Sequence, residues 1–205
     1  MEKKENIIAL STAYLPNIQY FAKILQSEKI ILEQYENYIK QTYRNRCEIF
    51  SANGIKSLII PVKHTGTKQL IKDIKIDYSG NWQKLHWKTI NSAYMSSPFF
   101  EYYIDDFSPF YEKKETFLFD FNYKLIVLLL ELIGIKNQIS VSDSYNIYDA
   151  TIDHRTTITP KNKSNDFNPV PYFQVFSHKC GFAPNLSILD LLCNEGNNTY
   201  SLLVS

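Results

Sequence analysis

IIALSTAYLPNIQYFAKILQSEKIIL, running from Ile7 to Leu32, decides the fold. It opens on an apolar, β-prone run, Ile7 to Thr12, which reads as a buried strand. Pro16 falls where the first turn of a helix needs no N–H. Ile18, Phe21, Ala22 and Leu25 follow at helical spacing. Lys29 to Tyr35, with Ile30-Ile31-Leu32, is too short for a helix and reads as a second buried strand. Strand, helix, strand in this order predicts a parallel pair joined by a right-handed crossover.

Working outward, Arg44 to Phe50 alternates: Cys47 and Ile49 point one way, Arg44, Arg46 and Glu48 the other. Asn53-Gly54 is a hairpin turn, and Leu58 to Val62 returns, with Pro61 marking an edge or a strand end. Lys72 to Tyr78 alternates again and predicts a strand. A helical segment follows. Asn81 caps a helix through Ala93, with Trp82, Leu85, His86, Ile90 and Ala93 on one side. Ser97-Pro98 starts a second helix to about Phe107, and Thr116 caps a third that ends at Gly134. Ile139 to Val141 is one more strand. Residues 144–170 are rich in Asn, Asp, Thr and Lys without periodicity, a long loop acting as a lid or a mobile arm. Pro171 to Phe176 reads as a strand, Leu186 to Cys193 as a helix, and Leu202-Leu203-Val204 as a docked strand or tail. The fold class is α/β: a mixed sheet with an N-terminal strand-helix-strand unit and a β-hairpin, followed by a helical segment.

The 205 residues suit one domain spanning 1–205. Hydrophobic residues make up 44% of the chain, enough for a full core. A formal net charge of +1 argues against a broad nucleic-acid footprint but not against a local basic patch. Cys47, Cys180 and Cys193 are odd in number and widely spaced, which makes neither a disulfide framework nor a zinc site. The charged start, Met1 to Asn6, is followed by too short an apolar run for a signal peptide. Leu125 to Ile133 falls far short of the roughly 20 residues a membrane span needs. A soluble, cytoplasmic protein in a reducing compartment is the expectation.

The candidate chemistry lies at two direction changes, Tyr14-Leu15-Pro16-Asn17-Ile18-Gln19-Tyr20 and Gln41-Thr42-Tyr43-Arg44-Asn45-Arg46. Arg44 and Arg46 share a strand face about 7 Å apart. They either clamp a carboxylate or diphosphate or form a solvated face with Glu48. Asp190, inside an apolar helix, needs a buried partner, and Arg44 or Arg46 would serve; on that pairing, Asp190→Asn should destabilise. His86 is either a satisfied core histidine or a general base. Glu101, Asp105 and Asp106 read as solvated helix surface rather than a glycosidase pair. His178 and Cys180 show no nucleophile signature. No phosphate-cradling glycine loop or zinc-binding His pair is present, so neither cofactor nor metal is expected.

Taken together and in order, these pieces resemble the WbqC-like family of bacterial proteins. The matching residues are Tyr14-Leu15-Pro16 with Tyr20 and Lys23, then Tyr43-Arg44-Asn45-Arg46, then Gly54 ahead of Leu58-Ile59-Ile60-Pro61-Val62. Trp82, His86, Ala93-Tyr94 and Ser97-Pro98-Phe99-Phe100 follow. Asp120, Asn122 and Leu186 to Leu192 with Asn194-Glu195-Gly196 complete the set, which spans nearly the whole chain. Many members carry a His-Gln-Pro-type segment where this chain has Ser11-Thr12-Ala13, so the chemistry of that His does not carry over. The resemblance implies a link to O-antigen or other surface-polysaccharide biosynthesis, with attachment of an amino acid such as glycine to an amino sugar.

Under that implication we assign roles ourselves. Arg44 and Arg46 would hold a phosphate or carboxylate, and Tyr14, Tyr20 and Tyr43 would contact the sugar. Gln19, Lys23 and Asn45 would complete the substrate site. His86 would be the base, while Trp82, Asp120, Asn122 and Asp190 organise the surroundings. The partners expected are a small-molecule sugar or acyl-donor substrate and proteins of the glycan pathway, not nucleic acid. A non-catalytic glycan-precursor-binding or scaffold protein is the alternative to a transferase.

Overall fold

A computed structural model describes residues 6–63, 66–161, 167 and 169–204. Met1 to Glu5, and residues 162–166 and 168 of the expected irregular loop, lie outside the described residues. The opening stretch forms β1 (Ile7–Ser11), α1 (Ile18–Leu25) and β2 (Lys29–Glu33), with β1 and β2 parallel and in register from Ile7–Lys29 to Ser11–Glu33. Asn17 caps α1, its side chain accepting from the Tyr20 N–H. The hairpin follows as β3 (Arg46–Ser51) and β4 (Gly54–Ile59), turning at Gly54, whose φ of 96° suits a residue without a Cβ. The expected alternation holds within β3, where Cys47 and Ile49 are buried and Arg46 and Glu48 only partly so, but Arg44 precedes the strand and is buried rather than sharing the Arg46 face.

Next come α2 (Trp82–Tyr94), α3 (Ile104–Glu112), α4 (Leu118–Ile133) and β5 (Gln138–Val141). β5 pairs parallel with β2, giving a three-stranded parallel sheet of order β1-β2-β5, while the hairpin is a separate two-stranded sheet. The chain ends in α5 (Ser177–Cys180), α6 (Ile188–Glu195) and α7 (Thr199–Val204). These elements make an α/β protein. No described helix is long and apolar enough to cross a membrane.

Several boundaries differ from expectation, each for a tertiary reason. Lys72 to Tyr78 is no regular strand: a 3-10 turn occupies Ile71–Asp73, and single bridges join Val62 to Ile76 and Lys75 to Phe117. The alternation is real, since Ile74 and Ile76 are buried. Residues 74–77 exchange two backbone hydrogen bonds with 61–63 and two with 116–118, but each pairing is a single bridge, too short to make a regular strand. Thr116 does not cap α4; its carbonyl accepts from the Ile76 N–H, and the helix starts one residue after Phe117. Pro98 does not open a helix, because the Phe99 N–H is held by the Cys193 carbonyl; a 3-10 turn at Phe100–Tyr103 leads into α3, which runs to Glu112. Leu85 is 61% exposed rather than on the buried side of α2. Pro171 to Phe176 forms no strand, and the chain's last residues form a helix.

The core draws on nearly every element and contains a chain of hydrogen-bonded rings. Tyr14, fully buried, bonds through its hydroxyl to His86 Nδ1 (3.0 Å) and to the Tyr111 hydroxyl (2.9 Å). His86 also stacks on Tyr14 and meets Trp82 edge-on. Removing the central hydroxyl leaves two buried polar groups unsatisfied. We expect Tyr14→Phe to lose about 1–3 kcal/mol in urea denaturation; an unchanged midpoint would show that these groups find other partners.

Candidate functional site

The two stretches singled out in the sequence meet: the Tyr14 N–H donates to the Tyr43 carbonyl at 2.9 Å. Behind them lies a buried polar cluster at the carboxyl ends of β1 and β2. Arg44, 2% exposed, binds Glu36 with two parallel hydrogen bonds, Nε to Oε1 at 2.9 Å and Nη2 to Oε2 at 2.6 Å. Its Nη2 also reaches Ser11 Oγ (2.7 Å) and its Nη1 Thr42 Oγ1 (3.2 Å). Asn122, fully buried in α4, donates to the Arg44 carbonyl at 2.7 Å.

Arg155 builds the other half of the cluster. It pairs with Asp153 (Nη2 to Oδ2, 2.6 Å) and reaches Glu33 at 3.5 Å. Asp153 holds the Arg155 proton firmly, raising the guanidinium pKa further. The backbone around it adds a further rung beside β1, with the Ala9 N–H donating to Ile152 O and the His154 N–H to Ala9 O, both at 2.9 Å. This part of the loop is therefore docked on the sheet rather than a free arm.

Between these halves runs a cleft of about 300 Å3, counting the part open to solvent. Its walls include Thr12, Asn17, Tyr20, Tyr43, Arg44, His154 and Arg155. Of that volume only about 10 Å3 is accessible to a water-sized group, so the cleft as it stands admits about one water. Thr12 Oγ1 and Asn17 Nδ2 are buried here, and the Asn17 side chain interacts with the Tyr43 hydroxyl, which it favours in its ionised form. The half-buried Tyr43 hydroxyl is pushed up to about 12, chiefly by desolvation. His154, half-buried with Nδ1 3.3 Å from Thr157 Oγ1, has its pKa lowered by burial and secondarily by Lys23. A crevice outside the carboxyl ends of parallel strands is where open α/β sheets commonly bind ligands. The N-terminus of α1 itself is spoken for: the Ile18 N–H goes to Leu186 O and the Gln19 N–H to Asn185 Oδ1.

The expected site residues divide. Tyr20 and Tyr43 line the cleft, although the Tyr20 hydroxyl is already given to Ser11 O at 2.9 Å. Lys23 is near, reaching Gln26. Gln19 is buried and joined by Asn185. Asn45 donates to Ile60 O within the hairpin. Arg44 is not available as half of an anion clamp, because Glu36 occupies its fork. Arg46 remains partly exposed, with its Nε buried and unpartnered.

Tyr14 and His86 sit in the core, away from the cleft. Burial lowers the His86 pKa to about 4, so at neutral pH it is an uncharged core group, not a base facing substrate. Trp82 packs around it, and Asp120 is exposed on the first turn of α4. Asp190 is buried but has no arginine partner. Its Oδ2 accepts from Tyr172 (2.6 Å) and Gln174 (3.1 Å), and desolvation raises its pKa to about 6 despite those bonds.

The sequence reading missed His154 and Arg155. They fall in an aperiodic stretch, where the one available signal was an Asp-His-Arg run without a spacing rule. Among the described residues no group of three or more His, Cys, Asp or Glu could hold a metal ion.

The WbqC-like protein family matches the chain over residues 12–169. An uncharacterized protein of Mycobacterium tuberculosis is 24% identical over 222 residues, covering 94% of this chain and 94% of that one. No solved structure matches the chain.

Asp190 supplies a pH test. Its folded pKa lies above the unfolded value of 3.8, so its contribution is greatest below 3.8 and is lost as pH rises through about 6. His86 has the opposite sign: its contribution is present above 6.5 and lost as pH falls towards 4. Asp190→Asn should therefore match the parent near pH 4 and gain on it up to pH 7, by about 3 kcal/mol. Denaturant melts at several pH values decide this; a variant that stays weaker at pH 7 would mean the carboxylate has a cationic partner after all.

Proposed function

The chain belongs to the WbqC-like protein family, and from that membership and the cleft we propose that it binds a sugar-containing precursor of a bacterial surface polysaccharide. The observation that carries this reading is the cleft between the β1–α1 turn, Tyr43-Arg44 and residues 154–158. Its lining is polar, and since it admits about one water a sugar would meet it at its open side. There the Tyr43 ring offers a stacking face, Thr12 and Asn17 bring hydrogen-bonding side chains, and Arg44 and Arg155 fix the background charge.

Transfer of an acyl or aminoacyl group to that sugar is a second reading, favoured by one observation. His154 borders the cleft, and burial favours its neutral form, the state a general base needs at neutral pH. It would take the proton from a sugar hydroxyl or amine as that atom attacks the acyl carbonyl, and return it to the donor's sulfur or oxygen as the thioester or ester bond breaks and the carrier leaves as a thiol or alcohol. His86 is left to the core.

Thermal melts against nucleotide-sugars, acyl-CoAs, aminoacyl donors and polyprenyl-phosphate analogues test both readings. A sugar-bearing class should raise Tm by several degrees, and Tyr43→Ala, which removes the stacking ring, should shrink that rise while Tyr43→Phe keeps it. His154→Ala should keep the rise while abolishing any turnover. No rise with any sugar-bearing compound would overturn the sugar reading.

A further inference from the structure

Arg44 and Arg155 do not line the cleft alone; both also wall a second hollow, of about 550 Å3 with its open part, rimmed by Lys40 and Lys161. Lys40 in turn lines a third hollow, of about 700 Å3 counted the same way, with Lys63 and Lys68. The three depressions thus form a series, each sharing a wall with the next.

The charge of the last two is one-sided. The chain as a whole has 22 Lys and Arg against 21 Asp and Glu, yet among the described residues no Asp or Glu lines either hollow. The arginine charges are met from behind by Glu36, Asp153 and Glu33. The lysines are exposed, and Lys63 also lies beside Asp77, whose pKa it helps to lower. Lys40 and Lys161 line the second hollow, and Lys40, Lys63 and Lys68 the third. Lys40, shared by both hollows, would be the common contact for a group with negative charge spread over two phosphates.

We propose that this lysine groove holds the diphosphate of the ligand whose sugar lies in the cleft. The proposal rests on the sugar reading above and narrows it: the substrate class becomes a sugar diphosphate ester, carried by a nucleoside or by a lipid. Arg44 and Arg155, held rigid by their carboxylates, form the partition the ester linkage crosses.

Calorimetric titration with inorganic pyrophosphate tests the groove without the sugar. Pyrophosphate should bind, more weakly as salt rises. Each lysine removed should weaken it about fivefold, and the Lys40→Ala, Lys161→Ala double variant about 25-fold. Both lysines are exposed, and circular dichroism confirms that the variant is folded. A nucleoside diphosphate and vesicles carrying a polyprenyl diphosphate, titrated separately, tell the soluble source from the lipid one. Absent pyrophosphate binding, or equal binding by the double variant, overturns the groove, and a neutral sugar still raising Tm would leave the cleft reading standing. Pyrophosphate bound through these lysines, with no sugar recognised, would keep the anion site and overturn its assignment to a sugar ester.

Discussion

The buried pair of Arg44 and Glu36 organises much of what surrounds it. A guanidinium 2% exposed is tolerable only when its charge and its donors are met. Glu36 meets the charge, while Ser11 and Thr42 take further N–H groups. Those partners come from the end of β1, the turn after β2 and the approach to the hairpin, so one side chain fixes three segments against each other. Asn122 then ties the same residue's carbonyl to α4. Swapping such a pair for apolar groups can be neutral, but losing one partner typically costs 3–5 kcal/mol. The arrangement therefore specifies geometry more than it adds stability.

Arg155 repeats the device on the other flank of β1, with Asp153 and Glu33 as its anions. The cleft lies between two cations that cannot swing away. Because each is neutralised from behind, they give the cleft rigid walls rather than a strong net field. Exposed lysines lie further out, lining the neighbouring hollows.

The polar core shows how the same residue types take different roles by placement. His86 and His154 are both imidazoles with lowered pKa, but one is 4% exposed within a ring stack and the other borders open space. Asp190 and Glu36 are both buried carboxylates. Glu36 has a guanidinium, whereas Asp190 has only hydroxyl and amide donors and so tends towards its protonated form. Helical spacing identified His86 and Asp190 as buried but carried no information on what would lie opposite them.

The sequence alone determined the elements whose signals are local. Short apolar runs around a proline-started helix gave β1, α1 and β2; Asn53-Gly54 gave the hairpin; Gly134 ended α4. It also singled out the stretches at 14–20 and 41–46, which the structure places side by side, because direction changes carrying aromatic and amide groups are visible in a linear pattern. Only the tertiary structure decided that Arg44 binds Glu36, that Lys72 to Tyr78 meets its neighbours through single bridges, that residues 152–155 dock beside β1, and that His86 lies in the core. The physical reason is common to all four: pairing and burial depend on what other segments bring within hydrogen-bond reach, and residues 33, 44 and 155 are brought together by the sheet rather than by any spacing along the chain.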